Sequence, residues 1–261
     1  MMMNGDTSAD SKPAVKSISR AAEILMCISD GISSLTGIAD SCGLSKSTVH
    51  RLLKALDESH LTMQDRHNRR YYLGPMITRM TANPMTTHEY LIMCAVEEMR
   101  RLAGIFKETV HIGVLVAMQN IPLYEIPSTY DLRITEENRR LGSQLAGATM
   151  KILLSQFSDA KLRTVMRRVA VAPVTDRTIT DKGVLLEQIK AARKNDYAVS
   201  YGEKVPGAFA VAAPVKGYTY PAALSIVGPE SRMKSRMKEF IAEVQSSAGR
   251  VTCTIAETVK T

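Results

Sequence analysis

One stretch, LTGIADSCGLSKSTVHRLLKAL at residues 35–56, constrains the rest of the chain. Leu35, Ile38, Ala39 and Cys42 recur at i, i+3, i+4 and i+7, the spacing of a helix with one buried stripe. Gly43 follows, and a residue without a Cβ takes the positive φ that a tight helix–helix turn demands. Ser45 then stands where its hydroxyl accepts a free N–H from the first turn of a second helix. At about 100° per residue, Val49, Leu52, Leu53 and Leu56 fall on one side of that second helix. Lys46, Ser47, His50, Arg51 and Lys54 fall on the other. The apolar side closes a core. The opposite side carries hydroxyls, an imidazole and cations, the groups that bond phosphate oxygens and base edges. A solvated amphipathic helix would show the same two faces, but Ala39, Gly43 and Val49 also keep the spacing of a helix-turn-helix.

The chain of 261 residues suffices for one large or two modest domains, and a hydrophobic content of 45% supplies their cores. No apolar run approaches the roughly 18 residues of a membrane span. The start, MMMNGDTSADSKPAV, is polar and lacks the apolar segment of a signal peptide. Cys27, Cys42, Cys94 and Cys253 lie scattered within apolar helical patterns. That distribution suits reduced, buried thiols in a cytoplasmic protein and not a disulfide framework or a metal knuckle. Neither a metal nor a cofactor is expected. The net charge of +8 does not by itself assign a nucleic-acid partner, because residues 1–74 hold nine Lys and Arg against eight Asp and Glu. The case for double-stranded DNA rests on where the cations stand.

In chain order, residues 1–14 are small and polar, punctuated by Pro13, and are expected to be disordered. A helix follows at about 17–29 with Ile18, Ala21, Ala22, Leu25 and Ile28 as its buried stripe, and Arg20 near its start within reach of a phosphate. After the second helix of the 35–56 stretch, Leu61 to Gln64 and Arg70 to Leu73 read as two short strands. The polar turn between them makes a basic hairpin, and Arg66, Arg69 and Arg70 would supply phosphate or minor-groove contacts. With Ser45, Lys46, Ser47, Thr48, His50, Arg51 and Lys54, and with Arg20, these complete the candidate DNA-contacting set.

Asn83-Pro84 marks a boundary, since Pro84 disfavours helix at Asn83. It separates a winged helix-turn-helix domain at 15–82 from a second domain at 83–261. In the second domain, 85–105 reads as a long helix with Leu91, Ala95, Met99 and Leu102 on one side. Thr109 to Ala117 and Ile121 to Ile126 read as a hairpin turning around Gln119-Asn120. A glycine-bearing loop runs into a helix over 142–156, and two more helices follow at 158–169 and 183–195. Strands at 197–202, 208–216 and 221–227 precede a last helix after Pro229, striped by Met233, Met237, Phe240, Ile241, Val244 and Ala248. The fold class is α+β, with a sheet of about five strands carrying helices.

SISRAAEIL at 17–25, GLSKSTVHRLLKAL at 43–56 and RYYLGP at 70–75 resemble the DNA-binding half of IclR-type bacterial transcription regulators. GAFAVAAPVKGYTYPAALSIVGP at 207–229 resembles that family's effector domain, through a glycine, an Ala-x-Pro-Val element and a strand ending in Gly-Pro. The resemblance implies a winged helix-turn-helix joined by a helix to a GAF-like α/β domain that binds a small metabolite. It also implies a homodimer or homotetramer. The family's effectors are small organic acids or aromatic compounds, held against the sheet beneath a glycine-containing loop. Carried onto this sequence, the loop residues are Gly147, Ala148 and Thr149, and the strand residues are Ser200, Ala210, Ser225 and Val227. Two departures stand out. Met150-Lys151 replaces a Gly-Lys pair, and Ser200 and Ala210 stand where relatives carry an acid and a Cys or other small polar residue.

An enzyme fused to a binding module is the competing class, with His111 or Cys94 as its reactive groups. His111, in VHIGV on an expected strand, fits a hydrogen-bonded core or pocket histidine better, and Cys94 has no base beside it in sequence. No HExxH, GxSxG, Walker loop or GxGxxG is present. No catalytic residue is therefore assigned.

Overall fold

The computed structural model describes residues 16–83, 88–135 and 145–259. The expected disorder of 1–14, the break at Pro84 and the first residues of the 142–156 loop lie outside these. The chain divides into two compact units, Met1–Thr87 and His88–Thr261.

In the first unit α1 (Lys16–Ser29), α2 (Leu35–Cys42) and α3 (Lys46–Glu58) precede a hairpin of β1 (Thr62–Gln64) and β2 (Tyr71–Leu73). Local chemistry fixes each boundary. Ser34 caps α2 by accepting the Gly37 N–H at 3.1 Å. Gly43 ends α2 in the left-handed region at φ +63°, its N–H turned back to the carbonyls of Ala39 and Asp40. Ser45 caps α3 by accepting the Thr48 N–H at 3.2 Å. Ile24, Ile28, Ile38, Ala39, Val49, Leu53, Leu56 and Tyr71 form one core. The hairpin is tied to that core at Thr62, whose hydroxyl donates to the Leu53 carbonyl, and at Tyr71, whose N–H donates to the Ser33 carbonyl at 2.8 Å.

The stripe expected on α1 is corrected. Ile24 is its fully buried residue, whereas Ile18 is 68% exposed and Ala22 faces solvent. The first turn of α1 stands clear of α2 and α3, so its apolar residue has nothing to bury against. The short α4 (Pro75–Met80) also escapes the sequence reading. It starts on Pro75 at its first turn, a place where a missing N–H costs nothing. Gly74 before it is required by space, because a Cβ there would lie 2.2 Å from the His60 carbonyl oxygen.

The second unit runs α5 (Glu89–Phe106), β3 (Thr109–Val116), β4 (Gln119–Ile126), α6 (Ala148–Ser155), α7 (Asp159–Arg168) and α8 (Lys182–Asn195). It continues with β5 (Ala198–Tyr201), β6 (Ala208–Val215), β7 (Ala222–Pro229), a single-turn α9 (Glu230–Met233) and α10 (Met237–Val259). The strands form one antiparallel sheet in the order β4-β3-β7-β6-β5. The β3–β4 hairpin turns at Ala117-Met118, not at Gln119-Asn120. Both turn residues take positive φ, 48° and 65°, and Val116 faces Gln119 as the closing pair. A primed turn without Gly or Asn at its centre has no sequence signature. The last helix is likewise two pieces, since a 3-10 turn at Lys234–Arg236 separates α9 from α10.

Alternation along the strands divides the residues between two faces. One face presents Val110, Ile112, Val114, Val211, Leu224 and Ile226 to α5 and α10, where the Phe106 and Phe240 rings stack at 4.1 Å. Arg250 of α10 donates to Glu98 of α5, and together with Arg101 on the same helix as Glu98 it holds that carboxyl down at about 2. The other face presents His111, Gly113, Leu115, Ala212, Ala223 and Ser225, and α6, α7 and α8 cover it. Of the cysteines, Cys27, Cys42 and Cys94 are half-buried and Cys253 is exposed, so the expectation of four buried thiols holds only in part.

Candidate functional site

In the first unit α3 turns Lys46, Ser47, His50, Arg51 and Lys54 to solvent, while Val49, Leu53 and Leu56 face inward. Arg20 is exposed on α1. The hydroxyls at the start of α3 are bound to one another, Ser45 to Thr48 at 2.8 Å and Ser45 to Ser47 at 3.0 Å. In the hairpin loop, Asp65 Oδ1 accepts the His67 N–H at 2.7 Å and Asn68 Oδ1 accepts the Arg70 N–H at 2.8 Å. Gln64 Nε2 donates to the Arg69 carbonyl at 3.0 Å, and Arg69 sits at φ +57°. Short polar side chains thus satisfy the loop backbone and leave the guanidinium groups of Arg66, Arg69 and Arg70 in solvent. Among the described residues, none of the cations on α3 or this hairpin is ion-paired.

The second unit holds a partly open cavity of about 50 Å³ against the sheet face that α6 covers. Its roof is the segment that runs into α6, where Gly147 precedes the helix at φ +95°. Gly147, Ala148, Thr149, Ser200, Ala210 and Val227 all line this cavity, brought together from the start of α6 and from β5, β6 and β7. Ser225 does not line it. Fully buried, Ser225 lies behind the wall, accepting the Thr149 hydroxyl at 3.1 Å and bonding His111 Nε2 at 2.7 Å. It positions Thr149 and His111 and does not face the cavity.

The wall also holds His111, which the sequence reads as a core or pocket histidine, and Asn120, Glu203 and Lys204, which the sequence did not single out for binding. Behind the roof, Lys151 is 2% exposed and its Nζ donates to Glu203 Oε1 at 2.5 Å and to the Val199 carbonyl at 3.2 Å. Glu203 Oε2 accepts the Gly147 N–H at 3.0 Å. Burial pushes the Lys151 ammonium below its ordinary range, and the Glu203 carboxylate works against that shift. A signal for Lys151 exists in the sequence, since ATMKILLS places one cation in a helix whose every residue is buried. Nothing comparable marks Glu203, which lies beside Lys204 in the loop between β5 and β6. Cys94 is half-buried on α5 and does not line the cavity. A second hollow, of about 540 Å³, lies on the other side of the ion pair, with Arg177, Gln188 and Tyr197 on its walls. None of the described helices is long and apolar enough to cross a membrane.

A winged helix-turn-helix with a cationic outer face, followed by a sheet domain with a pocket against its sheet, defines a DNA-binding regulator with an effector domain. The comparisons with known proteins place it further. The family described as bacterial transcriptional regulator IclR, C-terminal, matches residues 83–253, and the IclR helix-turn-helix domain matches residues 17–66. The chain belongs to the IclR family of bacterial transcription regulators. It is 27% identical over 255 residues to the HTH-type transcriptional regulator KdgR of Escherichia coli, covering 96% of each chain. It is 26% identical over 250 residues to the HTH-type transcriptional regulator BhcR of Paracoccus denitrificans, covering 94% of this chain and 89% of that one. An IclR-family regulator from Rhodococcus sp. shares the fold with a TM-score of 0.69 at 21% identity, over 96% of this chain and 97% of that one. An IclR homologue from Microbacterium hydrocarbonoxydans, solved with 4-hydroxybenzoate, shares it at 0.58 and 17%, over 92% and 99%.

Proposed function

We propose that this regulator reads duplex operator DNA with Lys46, Ser47, Thr48, His50 and Arg51 of α3, while Arg66, Arg69 and Arg70 of the hairpin hold the phosphates. Ser45 serves by setting the start of α3, and Arg20 and Lys54 stand as flanking cations. The observation that carries this reading is the set of exposed cations without ion pairs on one helix face and the adjoining hairpin. Elsewhere in the chain Arg101, Arg193 and Arg232 are held by carboxylates. A polyanion is the partner that an unpaired row of this kind accepts. As a bacterial DNA-binding regulator the chain works, in this proposal, in the cytoplasm.

A small organic molecule bound beneath Gly147, Ala148 and Thr149, beside Ser200, Ala210 and Val227, sets the operator affinity in this proposal. The family's organic acids and aromatics, and the 4-hydroxybenzoate of the Microbacterium homologue, are the starting ligand class. Such a ligand shifts an equilibrium only if it favours one arrangement of the protein over another. Ala148 is 1% exposed on the cavity wall, so Ala148→Phe fills the space. The variant is expected to bind operator like the parent in the absence of effector and to lose the effector's influence in a mobility-shift titration. An unchanged response places the effector elsewhere. Catalysis is not part of this reading. The Ser225–His111 contact is the nearest to a nucleophile and base, and Ser225 is sealed from the cavity.

The regulator acts as a homo-oligomer in this proposal, because one recognition helix reads only a few base pairs and two half-sites need paired heads. The outward Ile18 and Met26 of α1, 68% and 62% exposed, are apolar positions that a second copy would cover. Analytical ultracentrifugation is expected to show a dimer or tetramer at micromolar concentration. A monomer with and without operator rejects it.

A further inference from the structure

Two sulfur atoms meet where α1 packs on α2. Cys27 lies near the end of α1, and Cys42 is the last residue of α2. Their Sγ atoms are 3.5 Å apart. Both side chains pack against the core that Ile24, Ile28, Ile38 and Ala39 help to form, yet both are only half-buried. A thiol sealed inside a core is inert, whereas a half-exposed one is open to a small reagent. The two thiols are not equivalent. Burial and the contact with Cys27 push the Cys42 thiol up to about 11, and Glu23 adds to the shift. Cys42 therefore keeps its proton at neutral pH. The Cys27 sulfur, with that thiol against it and the Ser41 hydroxyl at 3.4 Å, is left as the one to attack.

Where Cys42 stands gives a bond between the two sulfurs its consequence. A disulfide holds its sulfurs about 2.05 Å apart, so this contact must shorten by roughly 1.5 Å. Gly43 follows Cys42 at φ +63°, and Ser45 caps α3 directly after that turn. A covalent tie draws the last turn of α2 toward α1. Through the short connection it displaces the first turn of α3, which carries Lys46, Ser47 and Thr48. Hydrogen bonds from that turn to base edges and phosphates weaken steeply once distance and angle are lost.

We propose that Cys27 and Cys42 are a redox modification site, closed to a reversible disulfide by low-molecular-weight disulfides, and that closure loosens the hold on operator DNA. The Cys27 thiolate attacks one sulfur of the small disulfide. A mixed disulfide forms at Cys27, the small molecule's own S–S bond breaks, and one thiolate leaves. The Cys42 sulfur then attacks Cys27 Sγ and gives up its proton, and the second small thiol leaves. Two protein thiols are oxidised and one small disulfide is reduced to two thiols; an excess of small thiol runs the exchange back. The effect on DNA rests on the reading of α3 as the operator-binding helix.

Oxidised glutathione on the full-length chain tests it. After treatment, two of the four thiols should still react with maleimide in the unfolded chain, and peptide mapping should find Cys27 joined to Cys42. Operator affinity should fall by at least about tenfold in mobility-shift titrations, and reduced glutathione should restore it. Cys94→Ala with Cys253→Ala should respond like the parent, which sets aside bonds between chains through the exposed Cys253. Cys27→Ala should bind operator like the reduced parent and ignore the oxidant; should it misfold, the parent and the double variant still decide. No reaction, a mixed disulfide that stops at Cys27, or a joined pair that binds operator with unchanged affinity each overturns the proposal. A reduced chain that binds no duplex is the separate failure of the operator reading. It takes the DNA half of this proposal with it, while the joined peptides still decide the chemistry.

Discussion

The DNA-facing unit and the cavity-bearing unit use the same side-chain chemistry in opposite surroundings. On α3 and the hairpin, Lys46, Arg51, Arg66 and Arg69 stand in water without ion pairs, and the ordered polar contacts are local ones, among Ser45, Ser47 and Thr48 and within the hairpin loop. In the cavity-bearing unit, Lys151, Glu203, Thr149, Ser225 and His111 are almost wholly buried and bonded to one another. In the first case the groups wait for a partner, and removing one leaves nothing in the protein unsatisfied. In the second each group is another's partner, and removing one strands the rest. Binding and stability are therefore separable in the first unit and entangled in the second.

The sharpest test of that contrast is Lys151→Met. It leaves the Glu203 carboxylate buried with the Gly147 N–H and no cation, and breaking a buried pair from one side costs about 3–5 kcal/mol. Denaturant unfolding of the variant should show a loss of that size. The double variant Lys151→Met with Glu203→Leu should recover most of it, because removing both charges leaves no ion stranded. A loss below about 1 kcal/mol in the single variant would mean that water reaches the pair, and the contrast between the two units would fail.

Arg51→Ala is the counterpart on the exposed side. If Arg51 bonds a guanine, operator affinity falls by about 1–3 kcal/mol and preference relaxes at one base pair. Thermal stability should stay within about 0.5 kcal/mol of the parent, since the side chain holds nothing in the free protein. Arg69→Ala is expected to weaken all DNA sequences alike and to lower the salt dependence by about one unit of slope. Binding titrations at several salt concentrations, on operator and on scrambled duplex, separate the two. If both variants bind like the parent, the reading face is not this one.

The same contrast explains what the sequence disclosed. A helix that is apolar on one side and cationic on the other writes its function into a run of 22 letters, and α2, Gly43, Ser45 and α3 fell where the periodicity put them. The cavity is assembled from β3, β4, α6, β5, β6 and β7, so its residues converge only after the sheet forms. Gly147, Ala148, Thr149, Ser200, Ala210 and Val227 were reached through family motifs and not through periodicity. Ser225 was reached the same way, yet its hydroxyl points to His111 behind the wall. In the sequence Asn120 reads as a turn residue, because polar residues between two apolar runs usually are. The turn came earlier, at Ala117-Met118, and freed Asn120 to line the cavity. Nothing in the sequence marks Glu203, because a loop carboxylate is nearly always solvated, whereas this one is buried against Gly147 and Lys151.

Ser45 is where the two behaviours meet, and it gives the smallest effect. It is exposed like the DNA-facing residues, but its Oγ already accepts the Thr48 N–H and bonds two neighbouring hydroxyls. If its role is to fix the start of α3, what matters is an acceptor at that position and not the hydroxyl itself. Ser45→Ala should then cost about 1 kcal/mol of stability, and operator affinity should fall only as far as the loosened first turn displaces Lys46 and Ser47. Asn caps a helix about as well as Ser, so Ser45→Asn should restore the stability to within a few tenths of a kcal/mol and the affinity with it. Unfolding curves and operator titrations on both variants decide the matter. Should Ser45→Asn keep the stability of the parent yet lose affinity on every duplex, the Ser45 hydroxyl bonds a phosphate directly, and it belongs with Arg69 among the groups that wait for DNA.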